Sequence, residues 1–242
     1  KRDELDDARV LEVTAKIGEM LLQSGAEIFR IEDTMQRVSD YYGVPSSDFF
    51  VLSNGIFTTG GEKHNYAKVR VVPVKPARLD KVVALNQLSR EIVHGYYTLE
   101  EVEQKLQEIE KMPEKRFLTR ILSSGIGAAG FCCLFDGSVM DGVAAFIAGA
   151  LVCIFMVQIS NRYLSKITGT ICCAALSALI CMLCLLSGIG NDLNHMVLGA
   201  VMPLVPGVAF LNGIREIVDS DYLAGSVRLL DAILGFVCIG LG

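Results

Sequence analysis

Charged residues are scarce in this sequence, and their scarcity limits the classes of protein it can belong to. Only 20% of the 242 residues are charged, whereas 52% are hydrophobic and the mean hydropathy is +0.45. This composition is too apolar for an ordinary soluble enzyme and excludes a disordered chain. The net charge is −5 and there is no run of Lys and Arg, so we expect no nucleic-acid partner.

Signatures of catalysis and metal binding are also missing. The chain has no Gly-x-Ser-x-Gly elbow, no His-Glu-x-x-His motif and no phosphate-binding loop. All eight cysteines lie in the apolar second half, where cysteine packs as a small hydrophobe and is not spaced as a zinc ligand. We therefore predict no catalytic residue, no metal and no cofactor, and a protein that is not an enzyme.

The charges that are present are concentrated in the first half of the chain. Residues 1–120 hold 18 of the 22 basic and 20 of the 27 acidic residues. This asymmetry predicts an α+β domain over residues 1–113 and a membrane domain over residues 114–242. Within the first domain, apolar spacing predicts helices before Gly43 and between Leu79 and Val93, with strand-like sequence from Asp48 to Val74.

Two segments of the first domain match a helix capping box, in which Ser or Thr precedes Glu by three residues. Thr98 with Glu101 predicts the start of the last helix of the domain. Ser24 with Glu27 predicts the start of an earlier one. Ser24 and Glu27 are also candidates for a polar site, and the two interpretations stay open.

Long stretches without Lys or Arg predict five transmembrane helices in the second domain. A bilayer core needs about 20 apolar residues per helix, and only 4 basic residues lie beyond residue 120. The last span runs to the end of the sequence and is expected to be incomplete. The predicted spans cover approximately residues 118–136, 140–160, 167–188, 194–213 and 223–242.

Basic residues occur in alternate loops, which predicts an orientation. The positive-inside rule places these loops and the N-terminal domain in the cytoplasm, and the C-terminus on the outer side. The sequence therefore predicts an α-helical integral membrane protein with an N-terminal cytoplasmic α+β domain followed by five transmembrane helices.

The fourth predicted span contains Pro203, Pro206 and Gly207, which interrupt a helix. Proline removes backbone hydrogen-bond donors, and carbonyl groups freed within lipid need a partner from protein, water or ligand. Broken helices recur at the substrate sites of secondary transporters; the alternative is a purely structural kink. We predict that this segment lines a substrate pathway.

Ionisable residues complete the predicted pathway. Asp231 lies on an apolar helix, where a charge is expensive, and Arg228 is its predicted partner three residues earlier. A guanidinium suits a carboxylate because it can bind both oxygens. The predicted substrate and transport residues are Pro203, Pro206, Gly207, Asn212, Arg215, Glu216, Arg228 and Asp231. The predicted proton-coupling residues are Asp192, His195 and Asp231.

Several motifs together resemble the threonine/serine exporter family over essentially the whole chain. The first domain contributes Leu22-Gln-Ser-Gly-Ala-Glu27, Arg30-Ile-Glu32-Asp-Thr34, Asn54-Gly55-Ile56 and Thr58-Thr59. The second contributes Met202-Pro203-Leu-Val-Pro206-Gly207 and Asn212-Gly213-Ile-Arg215-Glu216, followed by Asp221, Gly225 and Arg228.

This resemblance implies a subunit of a secondary transporter in a bacterial inner membrane. It implies the larger, five-span subunit of a split two-component form, with the remaining spans in a smaller membrane subunit and a hetero-oligomeric assembly. The implied cargo is threonine, serine or a dicarboxylate such as succinate, exported with the proton gradient. A polar face in the first domain would gate entry, formed by Ser24, Glu27, Arg30, Glu32 and Thr58.

Two alternatives are weighed beside export. The first is a membrane-anchored hydrolase that acts through the N-terminal domain, since that domain of the family has been likened to hydrolases. The second is a structural assembly subunit whose partner holds the whole substrate path.

Overall fold

The computed structural model describes residues 7–44, 47–60, 66–73, 77–160 and 163–242. The chain divides into two compact units. The first unit comprises residues 1–113 together with 211–229, and the second comprises residues 114–210 together with 230–242. The first unit takes in Leu211–Leu229, which the prediction assigned to the membrane domain.

The first unit is built on helices that pack against a small sheet. Its N-terminal part contains α1 (Asp7–Gln23), α2 (Ile28–Tyr41), α3 (Leu79–Val93) and α4 (Leu99–Glu110). Helices α1 and α2 contribute most of the largest buried side chains, including Leu11, Leu21 and Met35. The capping box predicted for α4 is confirmed, because the Thr98 hydroxyl accepts from the backbone N–H of Glu101 and the Glu101 carboxylate accepts from the N–H of Thr98.

The described sheet has three antiparallel strands in the order β1 (Asp48–Leu52), β2 (Gly55–Gly60) and β3 (Tyr66–Val71). Ile56 and Thr58 alternate with Phe57 along β2, and only the first two are fully buried. Such alternation is typical of a sheet with one face on the core. The prediction of strands is thus confirmed from Asp48 to Val71 where the structure describes the chain, with Thr58 on the buried face, whereas Val74 lies outside the described residues.

The capping box predicted for Ser24 and Glu27 is wrong. Ser24 follows the C-terminus of α1, and its hydroxyl donates to the carbonyl of Met20 at 2.7 Å. The N–H of Ala26 bonds to the carbonyl of Leu21, and Gly25 has a φ of +84°. This is the glycine-containing arrangement that ends a helix, so the segment closes α1. Helix α2 begins after Glu27 with no side-chain cap.

The second unit consists of apolar helices. The described helices that lie wholly within this unit are α5 (Phe117–Leu134), α6 (Val139–Phe155), α7 (Lys166–Leu186) and α8 (Leu193–Val201). A π-helical turn, Met156–Ser160, follows α6. Small residues bring α5 and α6 together, because a Cβ added at Gly149 would lie 2.6 Å from the Cβ of Ala128. Close contact between small residues is how membrane helices associate.

The predicted interruption of the fourth span is confirmed. After α8 comes a short 3-10 helix, Met202–Leu204, and then α9 (Gly207–Val218). The chain bends by 61° between the two helical segments. The predicted span 194–213 is therefore two helical segments, and the second continues to Val218.

Among the described residues, four helices are long and apolar enough to cross a membrane, and the bent pair makes a fifth if it counts as one span. The last helix is α10 (Tyr222–Leu241), with 20 residues. The other predicted spans agree with the observed helices to within about two residues at most ends.

Candidate functional site

A cavity of about 340 Å³ lies beside the helix break in the second unit. Pro203 and Leu204, from the 3-10 turn at the break, form part of its wall. Helix α6 and its π-turn add Gly149, Val152, Cys153 and Met156, and α8 adds Ala200. Of the three residues predicted to interrupt the helix, Pro203 lines the cavity.

The other residues that line the cavity are polar or positively charged. They are Lys115, Thr119, Arg120, Ser123 and Ser124, from the start of α5 and the residues before it. Arg120 Nη1 pairs with Glu114 at 3.1 Å, and the Ser124 hydroxyl donates to the carbonyl of Gly149 at 2.9 Å. Two cations and neighbouring hydroxyl groups against an apolar wall suit a small molecule that carries a carboxylate.

A second polar group lies within the first unit, where side chains from α9 and α10 bind the turn between α1 and α2. Asn212 Nδ2 donates to the carbonyl of Gly25 at 3.4 Å, and Arg228 Nη2 donates to the carbonyl of Ala26 at 3.1 Å. The backbone N–H of Ile28 donates to Glu216 Oε1 at 3.3 Å. We call this group, with Glu27 and Arg215, the turn cluster.

Charge pairs reinforce the turn cluster. Arg228 Nη1 lies 3.1 Å from Glu216 Oε1, and both side chains are largely buried. Arg215 Nη1 pairs with Glu27 Oε1 at 2.5 Å, and Glu27 also pairs with Arg30 at 3.1 Å. The family motif around Ser24–Glu27 and the motif Asn212–Glu216 therefore meet in space, although 188 residues separate Glu27 from Arg215.

The remaining residues predicted for the polar face are Glu32, Ser24 and Thr58. Glu32 accepts a hydrogen bond from the N–H of Val51 at 2.9 Å. Burial raises the pKa of the Glu32 carboxyl, and the nearby charge of Asp221 acts in the same direction. Ser24 is bonded within its own turn, and Thr58 is buried in the sheet. Of the five residues predicted to form the polar face, Glu27 and Arg30 take part in the charge pairs of the turn cluster.

Asp231 has a different partner from the one predicted. Its carboxylate binds Lys166 Nζ, with one oxygen at 2.6 Å, whereas Arg228 binds Glu216 and Ala26. The i,i+3 spacing allowed an Arg228–Asp231 pair, but Lys166, 65 residues away, takes that place.

The two other proton-coupling candidates sit at the start of α8. Asp192 caps this helix by accepting from the N–H of Asn194 at 2.8 Å. His195 Nδ1 lies 3.6 Å from Asp192 Oδ2. A capping role accounts for Asp192 without any transported proton.

Two features of the second unit were missed from the sequence. Lys115 and Arg120 belong to the basic residues that predict the orientation, and their place in the lining of the cavity depends on how α5 packs. Asp141 is 2% exposed and accepts from the N–H groups of Asn191 and Asp192, at 2.5 and 3.0 Å. It also forms a capping box with Ser138, and the Ser-x-x-Asp spacing was the available signal.

Within the part of the chain that the structure describes, no group of three or more His, Cys, Asp or Glu side chains is arranged to hold a metal ion. The described cysteines are all free thiols. The chemistry of the two sites therefore rests on guanidinium, ammonium, carboxylate and hydroxyl groups.

These features define the class of protein. Several helices that are long and apolar enough to cross a membrane, together with a bent helix pair, make this a helical membrane protein. The family follows from direct comparison. A family model described as "Putative threonine/serine exporter" matches residues 12–242, so the chain belongs to the threonine/serine exporter family.

Two fungal proteins are similar to the chain. An uncharacterized protein of Schizosaccharomyces pombe is 25% identical over 94% of this chain and 31% of its own length. The pheromone-regulated membrane protein 10 of Yarrowia lipolytica is 22% identical over 92% of this chain and 19% of its own length. The chain thus spans a third or less of the length of these relatives. No solved structure matches it.

Proposed function

We propose that the chain is part of a secondary transporter that exports small metabolites carrying a carboxylate, with threonine and serine as the first candidates. The observation that carries this proposal is the cavity beside the broken span, which Lys115, Arg120 and Pro203 all line. Membership of the threonine/serine exporter family supports export as the direction of transport and threonine and serine as substrates. A dicarboxylate such as succinate has the same recognition group and is the second candidate.

The charges and shape of the cavity suit this role. A carboxylate would lie between the ammonium of Lys115 and the guanidinium of Arg120, while hydroxyl groups of Thr119, Ser123 and Ser124 bind the polar remainder. The apolar residues of α6 fit the methyl or methylene groups of the substrate. Because Arg120 also pairs with Glu114, an entering carboxylate would compete with that carboxylate for the guanidinium.

The arrangement in the membrane is part of the proposal. Basic residues before α5 favour a plasma-membrane protein with the N-terminal unit in the cytoplasm and the C-terminus outside. We also propose a hetero-oligomer in which a second, smaller membrane subunit supplies further spans, and coupling to the proton gradient. The relatives are much longer single chains, so the additional spans can equally be supplied in cis.

Transport by the reconstituted full chain tests the proposal. Liposomes would contain the chain alone, or with the smaller subunit, and would be loaded with radiolabelled threonine, serine or succinate. We expect Arg120→Gln and Lys115→Gln each to raise the KM for the transported substrate by about tenfold or more, because each removes a charged hydrogen-bond partner worth about 1.5–3 kcal/mol.

Lys111→Gln is the matched control, since Lys111 is an exposed basic residue on the same segment and does not line the cavity. It should leave the KM unchanged. Equal effects of all three variants would show that overall charge, and not the cavity, determines transport, and would contradict the proposed site.

A further inference from the structure

Glu216 is the most deeply buried carboxylate of the turn cluster, and one of its two oxygens has no partner. The residue is 2% exposed. Oε1 accepts from the N–H of Ile28 and faces Arg228 Nη1, at 3.3 and 3.1 Å. Oε2 is buried without a hydrogen-bond partner among the described residues. A charged oxygen in this position is costly, and a proton bound there would remove the cost.

Two other carboxylates act on Glu216. They are Asp221, between α9 and α10, and Glu27, directly before α2. Glu27 in turn pairs with Arg30 and Arg215, whereas among the described residues the guanidinium that contacts Glu216 itself is that of Arg228. A proton on Glu216 would therefore relieve the repulsion among three neighbouring carboxylates.

Protonation of Glu216 would change how the α1–α2 turn is held. Arg228 binds the ionised Glu216 with one nitrogen and the carbonyl of Ala26 with the other. When Glu216 is neutral, the Coulomb attraction that orients Arg228 is lost, and its bond to the turn weakens. Helix α9 follows directly after the broken segment, so the same residues that hold the turn belong to the helix leaving the break.

We propose that Glu216 binds the coupling proton, at its unpartnered Oε2, and that protonation loosens the contact between the α1–α2 turn and Arg228. That this proton is the one coupled to transport rests on the proposed function. The predicted candidates Asp192 and Asp231 are less suited, because each already has a partner and both side chains are close to half exposed.

Infrared difference spectroscopy tests the proton site independently of transport. Spectra of the reconstituted full chain would be compared at acidic and alkaline pH, in the carbonyl region of protonated carboxyl groups. We expect a band from a buried carboxyl that disappears in Glu216→Gln and persists in Glu32→Gln. The exposed residue Glu108 provides a control variant, Glu108→Gln, which should also keep the band. A band that survives in Glu216→Gln, or is lost in Glu32→Gln instead, overturns the proposal.

Transport provides the second measurement. Glu216→Gln should still exchange labelled for unlabelled substrate across the liposome membrane, but an imposed pH difference should no longer drive accumulation. Glu216→Asp, which keeps a titratable group, should retain part of the accumulation and covers the case in which the glutamine variant does not assemble. Driven accumulation in Glu216→Gln equal to that of the unaltered protein overturns the proposal. If the unaltered protein moves no substrate, the proposed function fails, and the infrared band still decides the proton site.

Discussion

Helices α9 and α10 cross at two glycines, and replacing Gly225 by alanine tests whether this close approach is needed. A Cβ at Gly225 would lie 2.8 Å from the carbonyl oxygen of Gly213 and 2.9 Å from the backbone nitrogen of Ile217. Both of these are main-chain atoms, so no side-chain rotation relieves the clash. The helices must separate, and the Glu216–Arg228 pair between them must lengthen.

The size of the effect follows from two opposing terms. Overpacking costs about 1–3 kcal/mol, whereas Gly→Ala within a helix gains up to about 1 kcal/mol. We expect Gly225→Ala to lose about 1–2 kcal/mol of stability, which lowers the unfolding midpoint of a chain of this size by about 2–8 °C. Far-UV circular dichroism of the full chain in lipid nanodiscs during heating measures this midpoint.

Gly240 offers a matched control in the same helix. An added Cβ there meets nothing within 4 Å, so Gly240→Ala should leave the midpoint unchanged or raise it slightly. If Gly225→Ala and Gly240→Ala melt at the same temperature, the two helices do not depend on their glycine contact, and the inferred packing of α9 on α10 is incorrect.

Three further substitutions test other parts of the structure. Asp141→Asn should lower the free energy of unfolding by about 1–3 kcal/mol, because the amides of Asn191 and Asp192 lose a charged acceptor, and hydrogen exchange at these two amides should be faster. The control variant Asp136→Asn, on the preceding exposed turn, should change neither quantity. Thr98→Ala should cost about 1 kcal/mol through loss of the α4 cap, seen as faster amide exchange at Glu101; unchanged exchange would refute the cap. Glu32→Gln should raise the unfolding midpoint at neutral pH. Because the pKa of Glu32 is raised in the folded state, the ionised carboxylate costs stability once the pH rises above the ordinary pKa of glutamate, and glutamine removes this cost. The advantage of the variant should vanish in acid, and an equal change of the midpoint at both pH values would contradict the prediction.

Local rules in the sequence predicted features that depend on the nearest residues. Pro203 and Pro206 lack the N–H that a continuous helix needs, so the break followed directly from the chain. The capping pattern was less decisive, because the same spacing occurs at Thr98, where it starts a helix, and at Ser24, where Gly25 ends one. The difference lies in the glycine, whose positive φ favours helix termination over a new start.

Contacts between distant segments could not be predicted. The partners of Arg228 and Asp231 are set by how α10 packs on other helices, so a pairing chosen by spacing along one helix was wrong. In the same way, the motifs around Glu27 and Arg215 were recognised separately, but their meeting depends on tertiary structure. The cavity next to the break also needs the start of α5 to lie beside the 3-10 turn, which no local pattern encodes.

The α1–α2 turn is bound through its main chain, and this affects which mutations the protein can tolerate. Asn212, Glu216 and Arg228 contact the carbonyls of Gly25 and Ala26 and the N–H of Ile28. Exchanging the side chain of Ala26 for another small one leaves all three bonds in place. Inserting or deleting a single residue there would shift the peptide groups out of register, so length in this loop should be far more strictly maintained than amino-acid identity.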